Sequence, residues 1–181
     1  ASTALSADAA GEASATFSVA GSPAKPYCIA YPAAPAGQVL FADKQSYASN
    51  ASFESGVSTM YAYSENGLDI KMNLLASVLK IGITGSAKVT LAQISTIDRA
   101  PIAGAFNIDF ETGELKATAT SKDVIEYSFG EGLQLTSEAQ YIHVAVPAGK
   151  YDELYITLYE KGNSGNIMYA TVKAPSTKPL T

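Results

Sequence analysis

Three carboxylates lie close together in the sequence, and their spacing is the first candidate for chemistry. Asp109, Glu111 and Glu114 surround the turn signal Thr112-Gly113. A pair of carboxyl groups can supply the acid and the base of a glycosidase, and three could hold Ca²⁺. However, the chain lacks the calcium loop, in which Asp and Asn alternate and end on glycine. Charges at a strand turn are usually solvated, so we expect these carboxylates to be structural.

His143 is the only histidine, and a catalytic triad would need it as the base. It lies in a strand-like run, on the face opposite Ile142, Val144 and Val146. The chain has no G-x-S-x-G elbow, no Walker loop, no dinucleotide fingerprint and no HExxH motif. We therefore expect a surface or edge histidine, no catalytic residue, no cofactor and no metal. The chain is predicted not to be an enzyme.

Tyrosine is the most frequent aromatic residue, with 11 Tyr against 6 Phe and no Trp. Tyr151, Tyr155 and Tyr159 recur at every fourth position, so an extended chain places them on one face of a strand. Flat aromatic faces bind sugars, which makes this stripe a candidate glycan contact. The alternative is a cross-strand tyrosine ladder that covers a sheet. We favour the ladder and keep the glycan contact as an alternative.

The single cysteine, Cys28, excludes a disulfide within the chain and any metal site made of several thiolates. It lies in the apolar run Pro26-Tyr27-Cys28-Ile29-Ala30-Tyr31. Free cysteine behaves as a small hydrophobic residue, so we expect a buried thiol.

Composition excludes other classes of function. The net charge is −5, and the 12 basic residues are scattered, so no positive stripe is available for nucleic acid. No apolar run approaches the roughly 20 residues of a membrane-spanning helix, and no signal peptide opens the chain. Charged residues make up 16% of the chain, against roughly 25% in ordinary soluble domains, as is typical of exported β-proteins.

Short apolar or alternating runs recur about every ten residues, which is the spacing of a β-sandwich or a barrel. We predict an all-β fold, an antiparallel two-sheet β-sandwich, over residues 16–181, after a flexible segment at 1–15. Gly85-Ser86 predicts a type II′ hairpin between strands at 81–83 and 89–91. The polar segment from Asp43 to Gly56 is predicted to be a surface loop. The predicted strands are Thr16 to Val19, Tyr27 to Tyr31, Val39 to Phe41, Val57 to Tyr63, Leu68 to Met72, Leu75 to Ile83, Val89 to Ile94, Ala105 to Phe110, Val124 to Phe129, Tyr141 to Val146, Leu154 to Tyr159 and Ile167 to Val172.

Several short motifs follow one another in a fixed order between about Tyr27 and Val172. They are Gln45-Ser46-Tyr47, Ser52-Phe53, Met60-Tyr61-Ala62-Tyr63-Ser64, Asn73-Leu74-Leu75-Ala76, Leu79-Lys80-Ile81, Gly85, Ile102-Ala103-Gly104-Ala105-Phe106-Asn107-Ile108-Asp109, Thr112-Gly113 and Tyr141-Ile142-His143-Val144-Ala145-Val146-Pro147-Ala148-Gly149-Lys150-Tyr151. This order resembles that of the fimbrillin family of Bacteroidales surface proteins.

The resemblance implies a transthyretin-like sandwich of Greek-key type, exported as a lipoprotein precursor to the outer membrane or a fimbria. It implies a fimbrial subunit or adhesion domain, and this chain would be either the N-terminal-type domain of a two-domain subunit or a single-domain relative. Other fimbrial subunits would be the partners, each inserting a strand, and surface glycans or proteins could be further ligands. The alternative function is a glycan-binding surface lipoprotein module. Family processing follows an arginine near the N-terminus, whereas Arg99 is the only arginine here.

Overall fold

The structure is a computed structural model, and it describes residues 24–50, 52, 54, 56–67, 70–160 and 167–173. Thirteen β-strands and no helix occur within these ranges. The segment 1–15 and the predicted strand from Thr16 to Val19 lie outside the described residues. The strands are β1 (Tyr27–Tyr31), β2 (Gln38–Phe41), β3 (Lys44–Ser46), β4 (Met60–Ser64), β5 (Asn73–Leu74), β6 (Ala76–Ile83), β7 (Lys88–Thr96), β8 (Ala103–Ile108), β9 (Leu115–Lys122), β10 (Val124–Gln134), β11 (Gln140–Pro147), β12 (Glu153–Glu160) and β13 (Ile167–Lys173).

Four groups of paired strands make up the described fold. The largest is a five-stranded sheet in the order β13-β12-β7-β10-β3. Its pairs are antiparallel except for β10 and β3, which run parallel. The other groups, all antiparallel, are β11-β6, β2-β8-β9 and β1-β4-β5. The chain is therefore all-β, and its packed antiparallel sheets are compatible with the predicted β-sandwich.

The main hydrophobic core lies between the five-stranded sheet and the β6-β11 pair. Ile94, Ile125 and Leu154 enter it from the large sheet, and Ile142 and Val144 enter it from β11. These five side chains are at most 2% exposed. Burying an aliphatic side chain of this size contributes about 1.5–3 kcal/mol to stability, so the core fixes how the two layers pack.

The hairpin predicted at Gly85-Ser86 is wrong. β6 pairs with β11, whereas β7 pairs with β10 and β12, so the connection between β6 and β7 passes from one sheet to another. Ile83 and Val89, at the facing ends of these strands, both belong to the main core. Because β6 and β7 each have one apolar face, they can bury these faces against each other in two packed sheets. They then do not form backbone hydrogen bonds with each other. Gly85 has a φ of 159°, far from the value of about +60° in a type II′ turn.

The polar segment from Asp43 to Gly56 is not entirely a surface loop, because β3 lies within it. β3 pairs in parallel with β10, and its central residue Gln45 is 2% exposed. The predicted strand from Leu68 to Met72 is also wrong, since 70–72 are not in a strand and 68–69 lie outside the described residues. β9 was not predicted, because its Ala, Thr, Ser and Lys residues are largely exposed and give no apolar alternation.

Candidate functional site

β13 forms one edge of the five-stranded sheet, and its seven residues are all exposed. Within the described residues its one strand neighbour is β12. β13 carries four exposed large apolar residues. Their exposed fractions are 48% for Ile167, 36% for Met168, 72% for Tyr169 and 37% for Val172. An edge strand presents a row of backbone N–H and C=O groups that can pair with another strand. Among the strands that the structure describes, β13 is thus an apolar edge that is open to strand addition.

The inner side of β13 continues the buried face of the sheet. Its residues Met168, Ala170 and Val172 lie opposite Leu158, Ile156 and Leu154 of β12. Directly opposite residues of an antiparallel pair share a face. The three β12 residues are at most 8% exposed and belong to the main core, whereas their three β13 partners are exposed. We call Met168, Ala170 and Val172 the inner ledge: an apolar surface that extends beyond the covered part of the core.

The outer side of the same two strands carries an aromatic pair. The rings of Tyr155 and Tyr169 lie 5.8 Å apart between centroids, with an interplanar angle of 30°. Tyr159 lies further along the outer side of β12, and its hydroxyl donates a hydrogen bond to Oε1 of Gln93 at 2.7 Å. Tyr155 and Tyr169 come from neighbouring strands, so they form one step of the predicted tyrosine ladder.

The predicted stripe of three tyrosines is wrong at Tyr151. This residue precedes β12, is 7% exposed and belongs to the main core. Its hydroxyl donates a hydrogen bond to the backbone oxygen of Pro147 at 2.7 Å, and burial raises its pKa above the ordinary value. The period-two pattern fails here because the chain enters β12 only at Glu153, so Tyr151 points into the core.

Side chains occupy the second edge of β11. The side-chain amide of Gln45 accepts a hydrogen bond from Ala145 N at 2.9 Å and donates one to Ala145 O at 2.7 Å. Asn50 Oδ1 accepts a hydrogen bond from Tyr141 N. Because alternate residues of a strand direct their backbone groups to the same edge, these contacts fall along one edge of β11. The edge of β11 that β6 leaves free is therefore closed to an added strand at these positions.

At the other edge of the five-stranded sheet lies β3, where charged side chains occupy the edge. There, Glu54 Oε2 accepts a hydrogen bond from Ser46 N of β3 at 2.7 Å. Lys44 of β3 lies 3.9 Å from the carboxylate of Glu126 on β10. Charged side chains on an edge strand are a common protection against unwanted pairing. The two ends of the same sheet thus differ, with a charged edge at β3 and an apolar edge at β13.

β1 is a third edge, and it carries the cysteine. Cys28 is exposed on β1, so the expectation of a buried thiol is wrong. The reason is that β1 lies at the margin of a small sheet and pairs only with β4 among the described strands. Its five residues lie between Pro26 and Pro32, and prolines at the ends of an edge strand restrict pairing.

The carboxylates singled out in the sequence act within a turn. Asp109 Oδ1 accepts hydrogen bonds from the backbone N–H groups of Glu111 at 2.9 Å and Thr112 at 3.2 Å. Glu111 Oε1 accepts one from the hydroxyl of Tyr63 at 3.2 Å. Both are exposed and serve the connection between β8 and β9. No group of three metal-ligating side chains occurs in the part of the chain that the structure describes.

His143 lies on β11 between the buried residues Ile142 and Val144, so it is on the opposite face of the strand from them, as the sequence predicted. Its ring is half-buried, and Nδ1 is buried without a hydrogen-bond partner.

Tyr127, opposite Gln45 in the β10-β3 pair, is fully buried, and its hydroxyl likewise lacks a hydrogen bond of ordinary geometry. Burial raises the pKa of Tyr127, and the nearby backbone amide of His143 acts in the opposite direction.

Within the residues that the structure describes, no helix has the length and apolar character needed to cross a membrane. Comparisons of the chain with protein-family models, with curated proteins and with solved structures found no match. The open edge of β13, its inner ledge and the outer tyrosine pair are therefore the features from which a function can be inferred.

Proposed function

We propose that this chain is a non-enzymatic structural or adhesion domain of the cell surface, a fimbrillin-like fimbrial component that assembles by β-strand addition. The observation that carries the proposal is the apolar, exposed edge at β13. The fimbrillin-like order of sequence motifs and the low charged fraction of 16% support the surface location.

Strand addition at β13 would be favoured by new backbone hydrogen bonds and by the covering of apolar side chains. A strand laid along β13 would pair with the edge that no described strand occupies, and each such hydrogen bond contributes about 0.5–1.5 kcal/mol net. Alternate side chains of that strand would cover the inner ledge, which main-chain pairing alone cannot do. The added strand would therefore need apolar residues at every second position.

Two other edges, those of β11 and β3, are less suited than β13 to receive a strand. Gln45 and Asn50 occupy the edge of β11, and Glu54 and Lys44 guard that of β3. An incoming strand would have to displace these hydrogen bonds or desolvate these charges. At β13, the described residues present a strand with mainly apolar side chains, without such hydrogen bonds on its outer edge.

A pair of substitutions tests the proposal in the cells that make the protein. Val172→Lys places a charge on the inner ledge, whereas Thr171→Lys adds the same charge on the outer side of the same strand. We expect Val172→Lys to abolish assemblies that chemical cross-linking traps on intact cells, and Thr171→Lys to retain them. Immunogold labelling of intact cells should place the wild-type protein outside the cell. A wild-type protein that stays inside cells, or equal assembly of both variants, would contradict the proposal.

The exposed pair of Tyr155 and Tyr169 favours a second candidate, a glycan-binding module. A sugar ring could stack on Tyr169, whose side chain is 72% exposed. A glycan array with the wild type, Tyr169→Ala and the control Tyr159→Phe distinguishes this candidate. Binding should fall at least tenfold in Tyr169→Ala and stay unchanged in Tyr159→Phe. Absence of binding by the wild type removes the candidate.

A further inference from the structure

We infer that the strand received at the β13 edge is β13 of a second copy of this chain, antiparallel and related by a twofold axis through Ala170. This inference rests on the proposed function, since it names the partner of the same edge. It follows from the residue pattern Ile-Met-Tyr-Ala-Thr-Val-Lys at 167–173, which is complementary to itself in one register.

Pairing of β13 with β13 would join the five-stranded sheets of the two copies into one sheet. A twofold axis perpendicular to this sheet places the inner sides of both β13 strands on the same face. Inner residues must then lie opposite inner residues, so the axis must pass through a residue. With the axis at Ala170, Met168 lies opposite Val172 of the second copy, and Ala170 lies opposite its own counterpart. The two inner ledges therefore form one continuous apolar surface.

The outer side is also compatible with this register. Tyr169 lies opposite Thr171 of the second copy, and aromatic and β-branched residues are favourable cross-strand neighbours. Ile167 lies opposite Lys173, whose aliphatic stem can pack on an apolar neighbour. Tyr169, the most exposed large apolar residue of the strand at 72%, would be covered.

Charge excludes one alternative register, the one with its axis at Lys173. Lys173 is the one charged residue of β13, and an axis at Ala170 keeps the two copies of Lys173 at opposite ends of the paired strands. In its own copy Lys173 lies opposite Glu153, and it lines a surface hollow with Asp98 and Asp152. Like charges directly opposite each other destabilise a strand pair, and moving the axis to Lys173 would create that contact. The register centred on Ala170 also pairs all seven residues.

The size of the contact sets the expected strength. Seven residues span about 23 Å, at about 3.3 Å per residue, so the paired edge is short. Stable interfaces usually bury about 800 Å² per partner, which is more than one strand edge with its ledge offers. We therefore expect a dimer that forms at high micromolar concentration and dissociates on dilution.

Opposite charges at the twofold axis provide the test. We would measure the full chain by sedimentation velocity over a concentration series, for wild type, Ala170→Lys, Ala170→Glu and an equimolar mixture of the two variants. Each variant alone places like charges opposite each other and should raise the dissociation constant at least tenfold. The mixture places opposite charges there and should recover the dimer. Thr171→Lys, whose counterpart would be Tyr169, loses only the contact of a β-branched residue with an aromatic ring, so it should weaken the dimer less than either Ala170 variant does.

Disulfide trapping tests the register separately. In a Cys28→Ser background, Ala170→Cys should cross-link to itself on oxidation, because directly opposite residues have Cα atoms about 4.5–5.5 Å apart, within the range of a disulfide. Thr171→Cys should not, because its counterparts lie diagonally, at about 7–8 Å. Circular dichroism establishes that each variant is folded.

The outcomes separate this inference from the proposed function. A wild type that remains monomeric at all concentrations, a mixture that stays monomeric, or equal cross-linking at positions 170 and 171 would overturn the inference. If surface assemblies still form and Val172→Lys still abolishes them, the proposed function stands and another strand occupies β13. If Val172→Lys has no effect on assembly while the dimer forms through Ala170, the inference stands and the fimbrial function is lost.

Discussion

Gln45 and Ala145 are joined by two hydrogen bonds that cross from the five-stranded sheet to β11. Gln45 Nε2 donates to Ala145 O at 2.7 Å, and Ala145 N donates to Gln45 Oε1 at 2.9 Å. Both residues are 2% exposed. The amide of one side chain thereby bonds both backbone groups of a strand residue, as a neighbouring strand would. It closes the edge of β11 and joins the two layers that enclose the main core.

Replacing Gln45 by Met should strongly lower the free energy of unfolding. Met has a similar volume but cannot bond to Ala145, so a buried N–H and a buried C=O lose their partners. Each unsatisfied buried group costs about 1–3 kcal/mol, and we expect the free energy of unfolding to fall by about 2–4 kcal/mol. Urea unfolding curves measure the change. The control Gln38→Met removes only an exposed hydrogen bond to Asn107 and should change stability by less than about 0.5 kcal/mol. Equal effects at both sites would contradict the role given to Gln45.

Gly104 permits the bulge at which β8 meets β9. Its φ is +83°, and a Cβ built there would collide with the backbone oxygen of Thr120 and approach Lys122 N at 3.2 Å. Gly37 has a similar φ of +77°, but a Cβ there has no heavy atom within 4 Å.

These two glycines make a matched pair. Gly37→Ala should cost about 1 kcal/mol from backbone strain alone. Gly104→Ala should cost more, about 3 kcal/mol, because the clash with β9 adds to the same strain. Thermal or urea unfolding gives the two values. If the two substitutions destabilise the protein equally, the bulge accommodates a side chain and this explanation is wrong.

The ion pair of Asp43 and Lys122 gives stability a pH dependence. A hydrogen bond from Lys122 lowers the pKa of Asp43 below its ordinary value of 3.8. Because the folded-state pKa lies below the unfolded one, the stabilisation is complete above about pH 4 and is lost as the pH falls through the lowered pKa. The pKa of Lys122 is raised above 10.5 by Asp43, so its contribution is lost only as the pH rises through that raised value.

Asp43→Asn should therefore lower the free energy of unfolding by about 0.5 kcal/mol at pH 7, a small value because both side chains are partly exposed. The difference from wild type should shrink as the pH falls from 7 to 2, because Asp43 becomes protonated as the pH passes through its lowered pKa. Urea unfolding at both pH values measures it. Asp152→Asn, at an ion pair with Lys150 that is 4.0 Å long and about four-fifths exposed, is the control and should have no effect. A difference for Asp43→Asn that is as large at pH 2 as at pH 7 would point to packing instead of charge.

Tyr151 should matter for stability and not for binding. Tyr151→Phe removes the buried hydroxyl and leaves Pro147 O without that donor, which should cost about 1–2 kcal/mol. Tyr155→Phe, on the half-exposed outer side, should change stability by less than about 0.5 kcal/mol. Calorimetric melting of both variants provides the comparison, and a larger loss in Tyr155→Phe would reverse the assignment.

Sequence patterns predicted strands better than their pairing. The alternation of Leu154, Ile156 and Leu158 placed β12 and its buried face correctly, because side-chain direction in a strand is local. The partner of a strand is not local: β7 pairs with β10 and β12 instead of with its neighbour β6. Gln45 looked like a loop residue because its partner, Ala145, lies 100 residues away. The apolar composition of β13 was visible in the sequence, but its exposure was not, since exposure depends on which strands cover it.

Hydrogen exchange at β13 tests strand addition most directly. Outward-facing amides of 167–173 have no strand partner among the described residues, so they should exchange rapidly in dilute protein. Mass spectrometry of peptides covering β13 should show protection that rises with protein concentration, while peptides covering β3 and β11 show none of this dependence. Exchange at β13 that is the same in dilute, concentrated and assembled protein would contradict assembly through this edge.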